Sequence, residues 1–271
     1  CQMIEHAVQI PNERIVILDF GSQYTQLIAR RIRELHVYAE IVPYYYPVEA
    51  IRKEKPAAVI LSGGPSSTYE KGAPQAAPEI FTLDIPMLGI CYGLYQVVEA
   101  FNGKTESASS KEYGRAMIDI KENSPLFRGL SSREQVWMSH GDKVVSPPPG
   151  FTVIASSENA EIAAIENRSG RIYGVQFHPE VYHTVNGKKV LENFLFEVCR
   201  LKPTWNMESF IETSIESIRR EVGDGMVLLG LSGGVDSSVT AVLLQKAIGD
   251  RCHSVFVNNG VLRKNEHVQV V

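Results

Sequence analysis

The chain has 271 residues, 44% hydrophobic and 21% charged, with a formal net charge of −4, the make-up of an ordinary globular protein with one large domain or one full and one partial domain. The mild acidity gives no support for nucleic-acid binding, no apolar run reaches membrane-span length, and Cys1-Gln2-Met3-Ile4-Glu5-His6 lacks the charged and apolar regions of a signal peptide. Four scattered cysteines offer neither a metal spacing nor a disulfide framework, which fits a reducing, cytoplasmic setting.

Residues 1–12 read as a tail. From Arg14 to Arg200, short Val/Ile/Leu strands alternate with amphipathic helices. That pattern predicts an α/β domain with a mostly parallel open sheet and helices on both faces. The first strand runs into Ile17-Leu18-Asp19-Phe20-Gly21-Ser22-Gln23-Tyr24, and the clearest helix covers Tyr24 to Leu35. Ala57-Ala58-Val59-Ile60 is a strand that ends in the turn Leu61-Ser62-Gly63-Gly64-Pro65.

Ile85-Pro86-Met87-Leu88 leads into Gly89-Ile90-Cys91-Tyr92-Gly93, and Leu94 to Ala100 continues as a helix. Strand, sharp turn and helix with a nucleophile between two glycines is the nucleophile-elbow pattern, with sulfur in place of a hydroxyl. Glycine on each side permits a turn where a Cβ would clash. A helix N-terminus favours the thiolate. A lone cysteine at a strand end is more usually a core residue; the paired glycines set this one apart. Further on come Trp137-Met138-Ser139-His140-Gly141-Asp142 and, from Ser146 to Phe151, a loop with three prolines inside the same domain.

The β-rich run Arg171-Ile172-Tyr173-Gly174-Val175 places Gln176-Phe177-His178-Pro179-Glu180 just past a strand end. A thiolate needs a base and the base needs an orienter. His178 and Glu180 supply both types, and Pro179 stiffens the turn between them.

A domain boundary falls at Leu201-Lys202-Pro203-Thr204, which gives domains of 13–201 and 202–271. Asn206 to Val222 reads as a helix, and Gly225 to Leu231 as a buried strand. Ser232-Gly233-Gly234-Val235-Asp236-Ser237-Ser238 then opens another helix. Such a turn presents backbone N–H groups and a helix dipole to an anion. It lacks the Gly-Lys-Ser/Thr ending of a Walker A loop. His253 to Val257 reads as a second strand, followed by Asn258-Asn259-Gly260.

Gly89-Ile90-Cys91-Tyr92-Gly93 together with Phe177-His178-Pro179-Glu180 resembles the class I glutamine amidotransferase family, which uses a Cys-His-Glu triad. The resemblance implies Cys91 as nucleophile, His178 as base and Glu180 as its orienter. It also implies an oxyanion hole from the backbone N–H groups of Gly64 and Tyr92. Fixed donors of that kind are worth roughly 3–4 kcal/mol each. The segments 17–24 and 137–142 are similar to the branch of that family that aminates xanthosine monophosphate, which implies Ser139, His140 and Gly141 in the glutamine pocket. Ser232-Gly233-Gly234-Val235-Asp236-Ser237 resembles the PP-loop of N-type ATP pyrophosphatases. That implies a cradle for the pyrophosphate of ATP, with Asp236 helping to hold Mg²⁺.

Three positions depart from these patterns. Tyr95, followed by Gln96, stands where the family usually has Gln; Tyr182 stands where Thr is usual; Asn258 stands where Asp is common. The activity implied is hydrolysis of glutamine to ammonia, adenylylation of xanthosine monophosphate by ATP, and displacement of AMP by ammonia. The same resemblance implies a homodimer through a C-terminal region absent from this chain. Two other readings stay open: another glutamine-dependent PP-loop synthetase, and a non-catalytic sensor of glutamine or nucleotide. A glutamine analogue that labels Cys91 separates enzyme from sensor.

Overall fold

In the computed structural model, residues 13–121, 123–232 and 234–256 are described, with backbone alone for 108–111. The tail 1–12, Gly233 and the segment from Val257 onward, including Asn258, lie outside the described residues. The chain divides into two compact units between Thr204 and Trp205.

The first unit is built on a run that is apolar on both sides. Strand β1 (Arg14–Asp19) carries Ile15 and Ile17 into one buried cluster and Val16 and Leu18 into another. A strand buried on both faces needs cover on both, and helices supply it. Helix α1 (Thr25–Glu34) buries Thr25, Ile28, Ala29 and Ile32, a stripe at helical spacing. Its outer face is laced by Arg30–Glu34 and Arg31–Glu34 pairs at 3.0 and 2.9 Å. Strand β2 (Tyr38–Pro43), helix α2 (Val48–Glu54) and strand β3 (Ala58–Leu61) follow. Next come strand β4 (Met87–Ile90) and helix α3 (Tyr92–Ala100). Fully burying side chains such as Ile15, Ile17, Ile60 and Leu88 stabilises by about 1.5–3 kcal/mol each.

The predicted alternation of strand and helix stops at Lys104. Strands β5 (Lys104–Ile120), β6 (Arg133–Ser146), β7 (Phe151–Ser157), β8 (Ala164–Asn167) and β9 (Ile172–Val175) follow one another without an α-helix between them. Antiparallel neighbours need only short connections, so no helix is required to return the chain. The nine strands form one sheet in the order β2-β1-β3-β4-β9-β8-β7-β5-β6. The pairs from β2 through β9 are parallel, and the rest are antiparallel. Helix α4 (Gly187–Asn193) closes the unit and packs against α1.

This order puts three carboxyl ends side by side. Leu61 pairs with Gly89, and Ile90 pairs with Val175. The segments that continue from β3, β4 and β9 therefore emerge together, where open α/β sheets place their sites.

The second unit contains α5 (Met207–Val222), β10 (Val227–Leu231), α6 (Val235–Ile248) and β11 (Cys252–Phe256). Strands β10 and β11 pair in parallel, and α5 packs on α6. Asn206 caps α5 by accepting from the Ser209 N–H at 2.7 Å. The sequence reads β10 as a buried strand, and in this half-length chain one of its faces is open. Leu228 is 74% exposed because the small apolar cluster of Ile218, Leu244, Ala247 and Ile248 covers one side of β10 only.

Candidate active site

Cys91 sits at the junction of β4 and α3 with φ 51° and ψ −103°. A non-glycine residue at positive φ costs about 1–3 kcal/mol and persists only where its surroundings over-determine it. Here they do. The Cys91 N–H donates to Val175 O at 2.8 Å, which ties the elbow to the end of β9. Neither flanking glycine takes a positive φ; each is required by close approach. A Cβ on Gly89 would lie 2.4 Å from Gly93 O, and one on Gly93 would lie 2.2 Å from Leu61 O. The glycines let α3 start directly against β3 and β4.

His178 and Glu180 are both buried. His178 Nδ1 lies 2.7 Å from Glu180 Oε1. An ionised carboxylate only accepts, so Nδ1 carries the hydrogen and Nε2 is left to face the sulfur. Burial opposes charge on the imidazole. The Glu180 carboxylate and then the Cys91 sulfur, which also hydrogen-bonds the ring, outweigh it, so the His178 pKa stands well above its ordinary value. The three predicted catalytic residues are thus brought together. The arrangement suits proton transfer from sulfur to nitrogen and back.

Their supports come from several parts of the chain. Tyr24 meets the His178 ring edge-on with centroids 5.1 Å apart. Arg31 Nε donates to Glu180 O at 3.2 Å. Thr184 Oγ1 donates to His178 O at 2.6 Å and accepts from Trp137 N–H at 3.0 Å. A Cβ on Gly63 would lie 3.0 Å from His178 Cε1, so the β3 turn closes directly over the ring.

A cleft of about 320 Å³ opens beside Cys91. Gly64 and Tyr92 line it, as do Ser139, His140 and Gly141, so the predicted oxyanion and glutamine-pocket residues also converge. Cys91 Sγ lies 3.4 Å from Ser139 O. His140 is a buried member of β6 with Nδ1 2.8 Å from Asp142 O and Nε2 3.1 Å from Glu112 Oε2. Asp142 Oδ2 accepts from Ser67 Oγ at 2.7 Å and from Thr68 N–H at 3.1 Å, which fixes the loop after β3 against β6. His183 stacks on Trp137, with centroids 4.5 Å apart, and does not line the cleft.

In the second unit, Ser232 follows β10 and Gly234 caps α6. The Ser232 N–H donates to Ser237 Oγ at 3.3 Å, and Ser237 Oγ donates to Gly234 O at 3.0 Å. Val235, Asp236 and Ser237 form the first turn, and Asp236 is exposed at the positive end of the helix dipole. Gly233 belongs to the predicted loop but lies outside the described residues. Among the described residues, no group of three or more His, Cys, Asp or Glu is placed to hold a metal ion unaided.

The model of the glutamine amidotransferase class-I family matches residues 16–198. The chain belongs to the class I glutamine amidotransferase family. Residues 206–269 match the NAD synthase family model. It is 55% identical over 259 residues to a glutamine-hydrolysing GMP synthase of Brachyspira hyodysenteriae, covering 96% of this chain and 50% of that protein. It is 54% identical over 254 residues to the enzyme of the same name from Staphylococcus aureus, covering 94% of this chain and 49% of that protein. The chain therefore spans about half the length of the curated relatives it matches. Among solved structures, it is similar to a Thermoplasma acidophilum protein described as a candidate GMP synthase subunit. The TM-score is 0.64 at 30% identity, covering 69% of this chain and 94% of that one. A Thermotoga maritima glutamine amidotransferase, 20% identical with TM-score 0.52 and covering 89% of this chain and 99% of that one, shares the fold.

Several residues around the cleft carried no assigned role in the sequence. Arg31 and Thr184 act through the main chain or from another element, and nothing local marks them. Asp142 and Gln176 stand inside the motifs, yet their partners lie on other elements.

Proposed function

We propose that this chain hydrolyses glutamine at Cys91 and is the amidotransferase half, with the start of the synthetase half, of a GMP synthase. The observation that supports it most is the buried His178–Glu180 hydrogen bond together with the buried Cys91 that lines the cleft.

His178 takes up the thiol proton of Cys91, and the sulfur then attacks the side-chain amide carbon of glutamine. Glu180 keeps the imidazole in the Nδ1–H tautomer and balances its positive charge. The N–H groups of Gly64 and Tyr92 receive the oxyanion, and Ser139, His140 and Gly141 line the pocket. His178 returns its proton to the leaving ammonia, and water then releases glutamate from the thioester.

In the full protein, ATP binds through its pyrophosphate at Ser232 to Ser237 and activates xanthosine monophosphate, and ammonia displaces AMP. Asp236 fits Mg²⁺ as a single exposed carboxylate, because that ion is commonly held by one or two carboxylates together with substrate phosphates and water. The setting is cytoplasmic and the assembly a homodimer through the region beyond Val271. No described helix is long and apolar enough to cross a membrane.

The test uses Cys91→Ala in the full-length protein. Glutamine-dependent synthesis should fall to background, and synthesis from added ammonium should stay near wild type. Loss of both with an intact fold would refute the division of labour.

A further inference from the structure

Tyr95 stands where the family usually has Gln, and its hydroxyl is part of a chain of hydrogen bonds that ends at the nucleophile. Tyr95 is buried on α3 and lines the cleft. Its hydroxyl donates to Asp142 O at 2.5 Å and accepts from Gln176 Nε2 at 2.8 Å. The same Gln176 nitrogen lies 3.9 Å from Cys91 Sγ and donates towards it. Gln176 is fully buried, and its Oε1 has no partner among the described residues. Gln96, the neighbouring amide, is spent elsewhere and accepts from Ala76 N–H at 3.0 Å.

These contacts permit one arrangement of hydrogens. A backbone carbonyl only accepts, so the single Tyr95 proton is committed to Asp142. Burial, and after it the negative charge of the Cys91 sulfur, raise the Tyr95 pKa well above its ordinary value, so the proton stays. The Tyr95 oxygen can then only accept, and its partner must be an N–H. A flipped Gln176 amide would set Oε1 against the phenol oxygen, acceptor against acceptor. Apart from the sulfur, the Tyr95 hydroxyl is the one hydrogen-bonding restraint on that amide among the described residues.

We propose that Tyr95 is a positioning residue: held by the Asp142 carbonyl, its oxygen locks the Gln176 amide with N–H towards Cys91, so that the sulfur faces a fixed donor. The idea rests on the reading of Cys91 as the nucleophile. It makes Tyr95 an aid to the sulfur and not a wall that selects the substrate.

The test uses this chain with Tyr95→Phe, Gln176→Met and the double variant. Two rates are read at Cys91 by peptide-resolved mass spectrometry: alkylation by iodoacetamide, and labelling by a chloroketone analogue of glutamine over a range of concentrations. A hydrogen bond to a charged group is worth enough to expect a loss of about tenfold. Each single variant should slow iodoacetamide and lower the limiting chloroketone rate by that factor, with half-saturation within about twofold of wild type. The double variant should be no slower than the singles, because Tyr95 acts through Gln176. A raised half-saturation with an unchanged limiting rate, or additive losses in the double variant, would overturn the proposal. Gln176→Glu keeps the shape but sets an acceptor against the sulfur, so it serves even where Tyr95→Phe does not fold. It should slow iodoacetamide by more than tenfold, and an unchanged rate would also overturn the proposal. If the chloroketone fails to label wild type while the iodoacetamide pattern holds, the glutamine reading fails and the relay stands.

Discussion

Gly93→Ala probes how closely the elbow is packed. An added Cβ would lie 2.2 Å from Leu61 O, against a floor of 3.0 Å for real side chains, so β3 and the start of α3 must part by roughly 0.8 Å. The atoms met are Leu61 O and C of the backbone and Leu61 Cβ fixed to it, none of which can swing aside. Overpacking costs about 1–3 kcal/mol, and the upper end applies here. For a unit of this size that lowers the melting temperature by roughly 6–12 °C. The same displacement separates Cys91 from the Gly64 turn, which continues from β3. A misplacement near 1 Å costs about 100-fold in rate. The assay is chloroketone labelling of Cys91 well below the melting temperature, together with thermal denaturation by circular dichroism. Gly150→Ala is the control: its φ is +84° and nothing lies within 4 Å of the added Cβ, so it should cost about 1–2 kcal/mol of stability and leave labelling unchanged. Labelling of Gly93→Ala within threefold of wild type, or an unchanged melting temperature, would refute the close-packing argument.

Glu180→Gln should lower the limiting rate of glutamate release by about 10³–10⁴, because the amide can donate to Nδ1 and trap the wrong tautomer; steady-state kinetics with glutamine reads it. In the wild type the raised His178 pKa makes its charged pair with Glu180 stabilising at low pH. That stability is fully present below about 6.5, the ordinary value, and is lost as pH rises through the folded value. Urea midpoints measured upward from about pH 6 should therefore fall, and the fall should be weaker in Glu180→Gln. In the full-length protein, Asp236→Asn should remove both glutamine- and ammonia-driven synthesis, since both need the activated acceptor. Ammonia-driven turnover at the wild-type rate would exclude the metal role.

The elbow, the His178 turn and the loop after β10 were legible because each is a local device: small residues at a strand end, next to a helix or a proline. The antiparallel half of the sheet was not legible, and β6 shows why. Its buried positions alternate perfectly, but three of the six carry Glu134, His140 and Asp142. Glu134 accepts from Ser131 N–H and Asn186 Nδ2 at 2.8 and 2.7 Å, and the other two are engaged around the cleft. Partners on distant elements make polar side chains tolerable inside, and hydropathy then hides the strand. Tyr95 is a related case. Sequence marked it as a departure from the family pattern; its position among Asp142, Gln176 and Cys91 follows from the order of strands.

The strained backbone at Cys91 has a consequence for how the protein matures. Gln176 joins the sulfur from 85 residues further along the chain, and the amide of Cys91 is anchored on Val175. Contacts of such sequence separation form late, after the entropy of closing long loops has been met. Until β9 docks beside β4, nothing holds residue 91 at positive φ, and the thiol is an ordinary one on an unfinished chain. On the proposed reading of Cys91 as the nucleophile, the closing of the sheet is the step that assembles its surroundings, and a nascent or partly unfolded molecule lacks them.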